Sequence, residues 1–410
     1  MVSRRGHRLA SSLFVLAVAG STAACAAIFG FERLSEEGGD GGPPDGTAPD
    51  DASDEVVDKG CGELGVTPPP PAQDAGEDAL EPFSVAVDLL DFGIDFNAAQ
   101  PGFNLDLTCS PTVETSTCVV ADPSRYADYA ADRNDGRGLD NVSFNLLKYL
   151  GGFGDGFKPS TINERLKAGE YGLVIRIARW NGQANDEDVL VEVFPAIGVR
   201  TLDDAGVRGD AGKPALTSDD QWQRDARFAV APGVDGSKGK SGLGYVRDMR
   251  VVARFPAVTM AIAVPDDPKP LDIAILEGWL DAKLEVTSEG LWRLTDGMVG
   301  GRWRTKDFLE QVRQIYVKDS QGIRDKYLCN PGAPTLVYNL AKTEVCFSRD
   351  LRSTSLEDKK GLPCDAFSVG LRFSTYALKD EGPLVDLPPI PERCTGAGDL
   401  PPGDECRPPD

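Results

Sequence analysis

From Phe83 onward the apolar residues recur mainly at every second position. Phe83, Val85, Val87 and Leu89 alternate with small or polar residues, as do Leu173, Ile175 and Ile177, then Val189, Val191 and Val193. The same alternation runs through Val258, Met260, Ile262 and Val264, and through Phe367, Val369, Leu371 and Phe373. A period of two turns one face of a strand to a core and the other to solvent, so these runs predict half-buried strands. Between 271 and 287 the parity changes: Leu271, Ile273 and Ile275 are odd, Leu280, Leu284 and Val286 even. A β-bulge near Gly278 restores a common buried face, because one extra residue flips every later side chain.

Helical spacing is rarer. Residues 141–150 follow a capping Asp140 or Asn141, and 160–168 stop at Gly169. Residues 306–318 follow Thr305 and place Phe308, Leu309, Val312, Ile315 and Tyr316 on one face, a stripe suited to core packing. These elements predict a mainly β chain: a β-sandwich-like body with a few helical inserts, behind a disordered acidic tether.

The front of the chain has a different character. Arg4, Arg5 and Arg8 precede a short apolar run, 9–19, and Thr22-Ala23-Ala24-Cys25 follows. A basic start, a short apolar stretch and small residues form a signal peptide, 1–24, too short to span a membrane permanently. The pattern resembles the bacterial lipobox, whose Cys is lipidated and becomes the new N-terminus; Thr22 stands where Leu is usual. That resemblance implies lipidation at Cys25. Ala26, instead of Asp, after the Cys implies the outer membrane, on its periplasmic or cell-surface face. The competing reading is ordinary cleavage after Ala24.

Charge supports a tether. Residues 32–81 hold fifteen acidic and two basic residues, −13 of the total −22. Gly- and Pro-rich and short of large apolar side chains, 25–82 cannot bury enough surface to offset its ordering entropy and reads as a linker. Fifty flexible residues reach roughly 40 Å root-mean-square. The body divides by composition into a β-rich first half (83–200), a polar Gly-rich loop or boundary (201–221), a β-rich second half with one amphipathic helix (222–380) and a Pro-rich tail (381–410).

Composition narrows the chemistry. The only histidine, His7, lies in the signal, so the mature chain lacks Ser-His-Asp, Cys-His and histidine-ligated metal chemistry. The acidic balance argues against a nucleic-acid partner, which calls for a basic face. Beyond Cys25 there are eight cysteines: Cys61, Cys109, Cys118, Cys329, Cys346, Cys364, Cys394 and Cys406. An even number in an exported chain reads as a disulfide framework, and no CxxC occurs. Short spacing favours Cys109–Cys118 and Cys394–Cys406, with one of Cys329, Cys346 and Cys364 joined to Cys61 and the other two to each other.

Three loops or strands carry candidate chemistry. Asn181 to Asp188 joins two predicted strands. Asn181, Asn185, Asp186 and Asp188 offer hard oxygen ligands to Ca²⁺, and Trp180 beside them offers a stacking face to a sugar ring. The plain alternative is an Asn-Gly hairpin with Trp180 packed on the sheet. Asp132, Asn134, Asp135, Gly136, Gly138 and Asp140 form a second acidic loop whose spacing misses the EF-hand pattern. Glu277, Trp279 and Asp281 share a strand face, but end carboxylates about 13 Å apart do not make a glycosidase pair.

The segments GRGLDNVSFNLL (137–147), INERLKAGEYGLVIRIARWNGQANDEDVLVEVF (162–194), LTDGMVGGRWRTKDFLEQV (294–312) and PCDAFSVGLRF (363–373) make the chain resemble a family of predicted lipoproteins from myxobacteria and their relatives. No activity is assigned to that family, so the resemblance implies location and architecture and transfers no catalytic residue. The resulting expectation is an exported lipoprotein, held to the membrane by its N-terminal lipid, with a non-enzymatic binding or structural role towards a glycan or envelope component. No cofactor is expected beyond the candidate Ca²⁺. The rivals are a carbohydrate-active enzyme using carboxylates alone and a Ca²⁺-dependent lectin-like module.

Overall fold

The structure is a computed structural model. It describes residues 67–71, 80–93, 100–110, 112–126, 138–146, 159–199, 212–226, 241–262, 271–317, 326–330 and 335–386, together with Cys394, Gly396 and Cys406. All belong to one unit, Asp58–Asp410. The expected signal (1–24), Cys25 and Cys61 lie outside the described residues.

Eight strands close into an antiparallel barrel. In chain order they are β1 (Phe83–Asp91), β2 (Gly172–Ala178), β3 (Asp186–Val199), β5 (Ser241–Arg247), β6 (Arg250–Ile262), β7 (Leu271–Val286), β8 (Trp292–Arg304) and β11 (Ala366–Leu378). Each pairs with the next, and β11 returns to β1, with Ser84 opposite Leu378. Two short strands, β4 (Trp222–Asp225) and β12 (Leu384–Val385), extend the sheet from the far end of β3. β9 (Tyr316–Val317) and β10 (Lys326–Tyr327) form a separate ribbon. The expected sandwich is thus corrected to a barrel: β3 hydrogen-bonds to β5 across the middle of the sequence, which leaves no free edge between them. Residues 201–211 lie outside the described residues.

Eight strands leave a lumen just wide enough for side chains. Val87, Leu173, Val193, Phe255, Met260 and Phe373 fill it around an apolar void of about 20 Å³. The parity switch in β7 is a bulge as expected: Leu276 faces Arg302, and Trp279 faces Gly300. β1 carries another between Val87 and Leu89. It turns Leu90 inward and leaves Leu89 exposed, reversing the alternation expected at that position.

Hairpins close one end, where Trp180 packs edge-on to Trp292 at 4.6 Å and to Phe83 at 6.0 Å. Insertions cover the other end. α1 (Pro159–Lys167) ends before Gly169, whose φ of +77° suits a glycine stop. Its Asn163 amide bonds both backbone groups of Leu90. α2 (Thr305–Arg313) packs Phe308 against Trp303 and Phe367; it ends before the expected 318, and Tyr316 opens β9 instead. α3 (Thr335–Phe347) was not expected. Of the helix expected at 141–150, residues 143–146 are helical and 147–150 lie outside the described residues.

The disulfides join distant segments: Cys118–Cys364, Cys329–Cys394 and Cys346–Cys406, with Cα separations of 5.2, 5.8 and 5.4 Å. Cys109 is disulfide-bonded as well, to a partner outside the described residues. The expected local pairs Cys109–Cys118 and Cys394–Cys406 therefore do not form, nor does any pair among Cys329, Cys346 and Cys364. The reason is tertiary. Val119 N–H donates to Leu362 O and Cys364 N–H to Val119 O, and this parallel bridge sets Cys118 beside Cys364. Cys394 and Cys406 of the tail reach back to Cys329, just after β10, and to Cys346 in α3.

Candidate functional site

The acidic hairpin between β2 and β3 commits its oxygens to neighbouring donors. Asp186 accepts the N–H of Asn181 at 2.6 Å and that of Asp188 at 3.0 Å, and is 3 % exposed. Asn181 Oδ1 accepts Gln183 N–H at 2.8 Å, and Asn185 Oδ1 accepts Asp248 N–H at 3.2 Å. Asp188 points outward to Arg179. Trp180 is 2 % exposed and donates its Nε1–H to Gln183 O. A ring whose faces are already packed cannot stack on a sugar, so the stacking role expected of Trp180 is corrected to a core role. Among the described residues, no group of three or more His, Cys, Asp or Glu is placed to hold a metal ion.

The second acidic loop and the segment around 363–373 meet. Asp132, Asn134, Asp135 and Gly136 lie outside the described residues, but Asp140 accepts Leu105 N–H at 2.6 Å. Asn141 donates to Pro101 O and Gly370 O and accepts Gly370 N–H and the Ser143 hydroxyl. Val142 N–H bonds Ser368 Oγ, and Ser368 in turn bonds both oxygens of Asp350. Gly370 permits this contact, because a Cβ there would lie 2.4 Å from Pro101 O. Residues 101–105 and 140–143 thus share one buried polar network with β11, a structural task.

A cleft of about 240 Å³ opens on the outer wall of the barrel instead, over β6, β7 and β8. The β7 bulge creates it. Glu277 takes a left-handed φ of +46°, a strained position for a side chain with a Cβ. Its carboxylate accepts the Thr354 hydroxyl at 3.0 Å and Ser355 N–H at 2.9 Å. Trp279 is half-buried and sits opposite Arg254 of β6. The Arg254 guanidinium lies over the indole, 5.5 Å from its ring centre. Leu105 and Leu107 form an apolar wall, and Leu107 is 71 % exposed. Asp281, the other carboxylate of the expected face, is turned to Arg250 at 2.8 Å. Burial pushes its carboxyl above the ordinary range.

Arg302 holds the cleft together. It is 1 % exposed, binds Asp358 with both terminal nitrogens at 2.9 and 2.6 Å, and donates to Arg352 O and Leu105 O. Its Nε lies 3.5 Å from Glu277. One guanidinium thereby joins β8, the 105–107 loop and the turn at 355–358. Beneath it, Asp106 accepts the Thr117 hydroxyl and Thr108 N–H, and burial pushes its carboxyl up. The sequence reading did not find Arg254, Arg302 or Asp358. Glu277 and Trp279 were marked by their strand face, whereas three cationic or acidic residues 48 and 56 positions apart carry no common signal.

Residues 67–69 also lie here. Thr67 lines the cleft, Tyr245 donates its hydroxyl to Pro68 O, and Arg247 donates to Pro69 O at 3.0 Å. The chain matches no protein-family model, no curated protein and no solved structure.

Proposed function

We propose that this protein is an exported lipoprotein of the outer membrane, anchored through Cys25, whose barrel binds a glycan or envelope component without chemically changing it. The observation that carries the reading is the outer-wall cleft, where an aromatic platform, a cation and a carboxylate converge while side chains fill the lumen. The Thr22-Ala23-Ala24-Cys25 segment, the −13 linker, the disulfides and the resemblance to predicted lipoproteins support export and anchoring. Glu277 and Asp281 are each held by fixed donors, Thr354 and Ser355 for one and Arg250 for the other. That arrangement suits orientation of a ligand better than proton transfer.

Fractionation tests the anchor. The wild type is expected in the membrane fraction with a lipidated N-terminus, and Cys25→Ser in the soluble fraction or as uncleaved precursor. A soluble wild type with an unmodified N-terminus overturns it.

A further inference from the structure

The cleft's open valences define what it can hold. Arg302 is spent on Asp358 and two backbone carbonyls. Arg254 is exposed and makes no hydrogen bond or ion pair among the described residues, and Trp279 Nε1–H has no hydrogen-bond partner there either. A guanidinium within cation–π distance of an indole, with no hydrogen bond to another described residue, keeps its N–H donors available to a planar anion. Glu277, on the other side of the β7 bulge from Trp279, lines the same cleft and offers acceptors to hydroxyl donors. Leu105, Leu107 and the indole supply the apolar surface that the C–H face of a pyranose needs. A volume of about 240 Å³ falls below that of sites for drug-sized molecules and fits one ring.

We infer that this cleft binds a single carboxylated sugar ring, a hexuronate, either free or as one residue of an acidic polysaccharide. The carboxylate pairs with Arg254, the ring rests against Trp279, and hydroxyls donate to Glu277. This assignment rests on the binding role proposed above and names its ligand class.

Titration of the full mature chain with glucuronate, galacturonate and their trimers, followed by calorimetry and tryptophan fluorescence, tests it. Glucose and a glutamate-rich peptide are the controls. Uronates should bind at least tenfold more tightly than glucose and the peptide, with affinity falling as salt rises. Binding of the trimers well above the monomers identifies a polysaccharide source, and equal binding identifies the free sugar acid. Arg254→Gln and Trp279→Leu should each weaken binding at least tenfold, with Arg254→Lys restoring part of it. Asp188→Ala, on the opposite hairpin, should leave affinity unchanged. Because Arg254 is exposed, its variant should melt with the wild type. No uronate binding, equal affinity for glucose, stronger binding of the peptide, or an unaltered Arg254→Gln variant overturns the assignment. If uronates fail while the protein still fractionates with membranes through Cys25, the ligand falls and the anchor stands.

Discussion

The hairpin at 181–188 and the cleft around Trp279 use similar residue types to opposite ends. Both combine a tryptophan, carboxylates and asparagines or hydroxyls within a few residues of a strand end or bulge. In the hairpin, the carboxylate accepts two local N–H groups and the indole is buried between two aromatic rings. In the cleft, the indole stays half-buried and an arginine on it has no ion pair among the described residues. The difference lies in where the polar groups find partners. A short hairpin brings its own donors within reach of its own acceptors, so it satisfies itself as it forms. The cleft draws its walls from segments far apart in sequence, and their geometry leaves valences over.

The contrast is most exposed to a change at Arg302. Arg302→Met leaves Asp358 buried without its counter-charge, and removing one partner of such a pair costs about 3–5 kcal/mol. Urea unfolding should show that loss, while Arg302→Met combined with Asp358→Leu should recover much of it. Equal stability of wild type and single variant would mean the cleft walls do not depend on this ion pair.

A smaller effect is expected in the hairpin. Asp186→Ala leaves the Asn181 and Asp188 N–H groups without their acceptor, at a cost of about 1–3 kcal/mol. Because those oxygens already serve the backbone, millimolar Ca²⁺ should not raise the melting temperature of the wild type beyond an equal ionic strength of Na⁺. A Ca²⁺-specific rise abolished by Asp186→Ala would make the hairpin a site after all.

The smallest effect concerns pH. Burial is the largest influence on Asp106 and pushes its carboxyl above the ordinary value of 3.8, against the pull of Thr117 and Thr108. The native state therefore keeps this proton to higher pH than the unfolded chain. The contribution is full below 3.8 and is lost as pH rises through the native value. Asp106→Asn cannot ionise, so wild type should lose stability relative to it as pH rises, by at most about 1.4 kcal/mol per pH unit. A pH-independent difference from pH 4 to 7 would contradict this.

Where strands present large apolar side chains inward, they could be read in advance: β2, β3, β11 and the bulge of β7. β5 could not. Its inward positions include Gly242, where a Cβ would meet Phe255 at 2.8 Å, so the bulk that fills this sector belongs to β6. β8 likewise turns Gly297 and Gly301 towards Phe373 and Ile275. α3 did carry a signal, Tyr338, Ala341 and Val345 on one face after Pro334, but one too sparse beside its polar neighbours to stand out.

Period-two alternation, turn residues and cysteine number are local properties, and they were enough to set a mainly β, disulfide-linked body. They also placed Glu277 and Trp279 on one face of a strand. Closure into a barrel was decided by β3 meeting β5 and β11 meeting β1, pairings between segments that share no local pattern. Disulfide partners followed the same logic, since Cys118 and Cys364 are 246 residues apart and meet only after the 117–119 segment docks beside 362–364. The cleft depends on both: a bulge legible in one strand, and an arginine, a loop and a turn whose approach only the packed chain specifies.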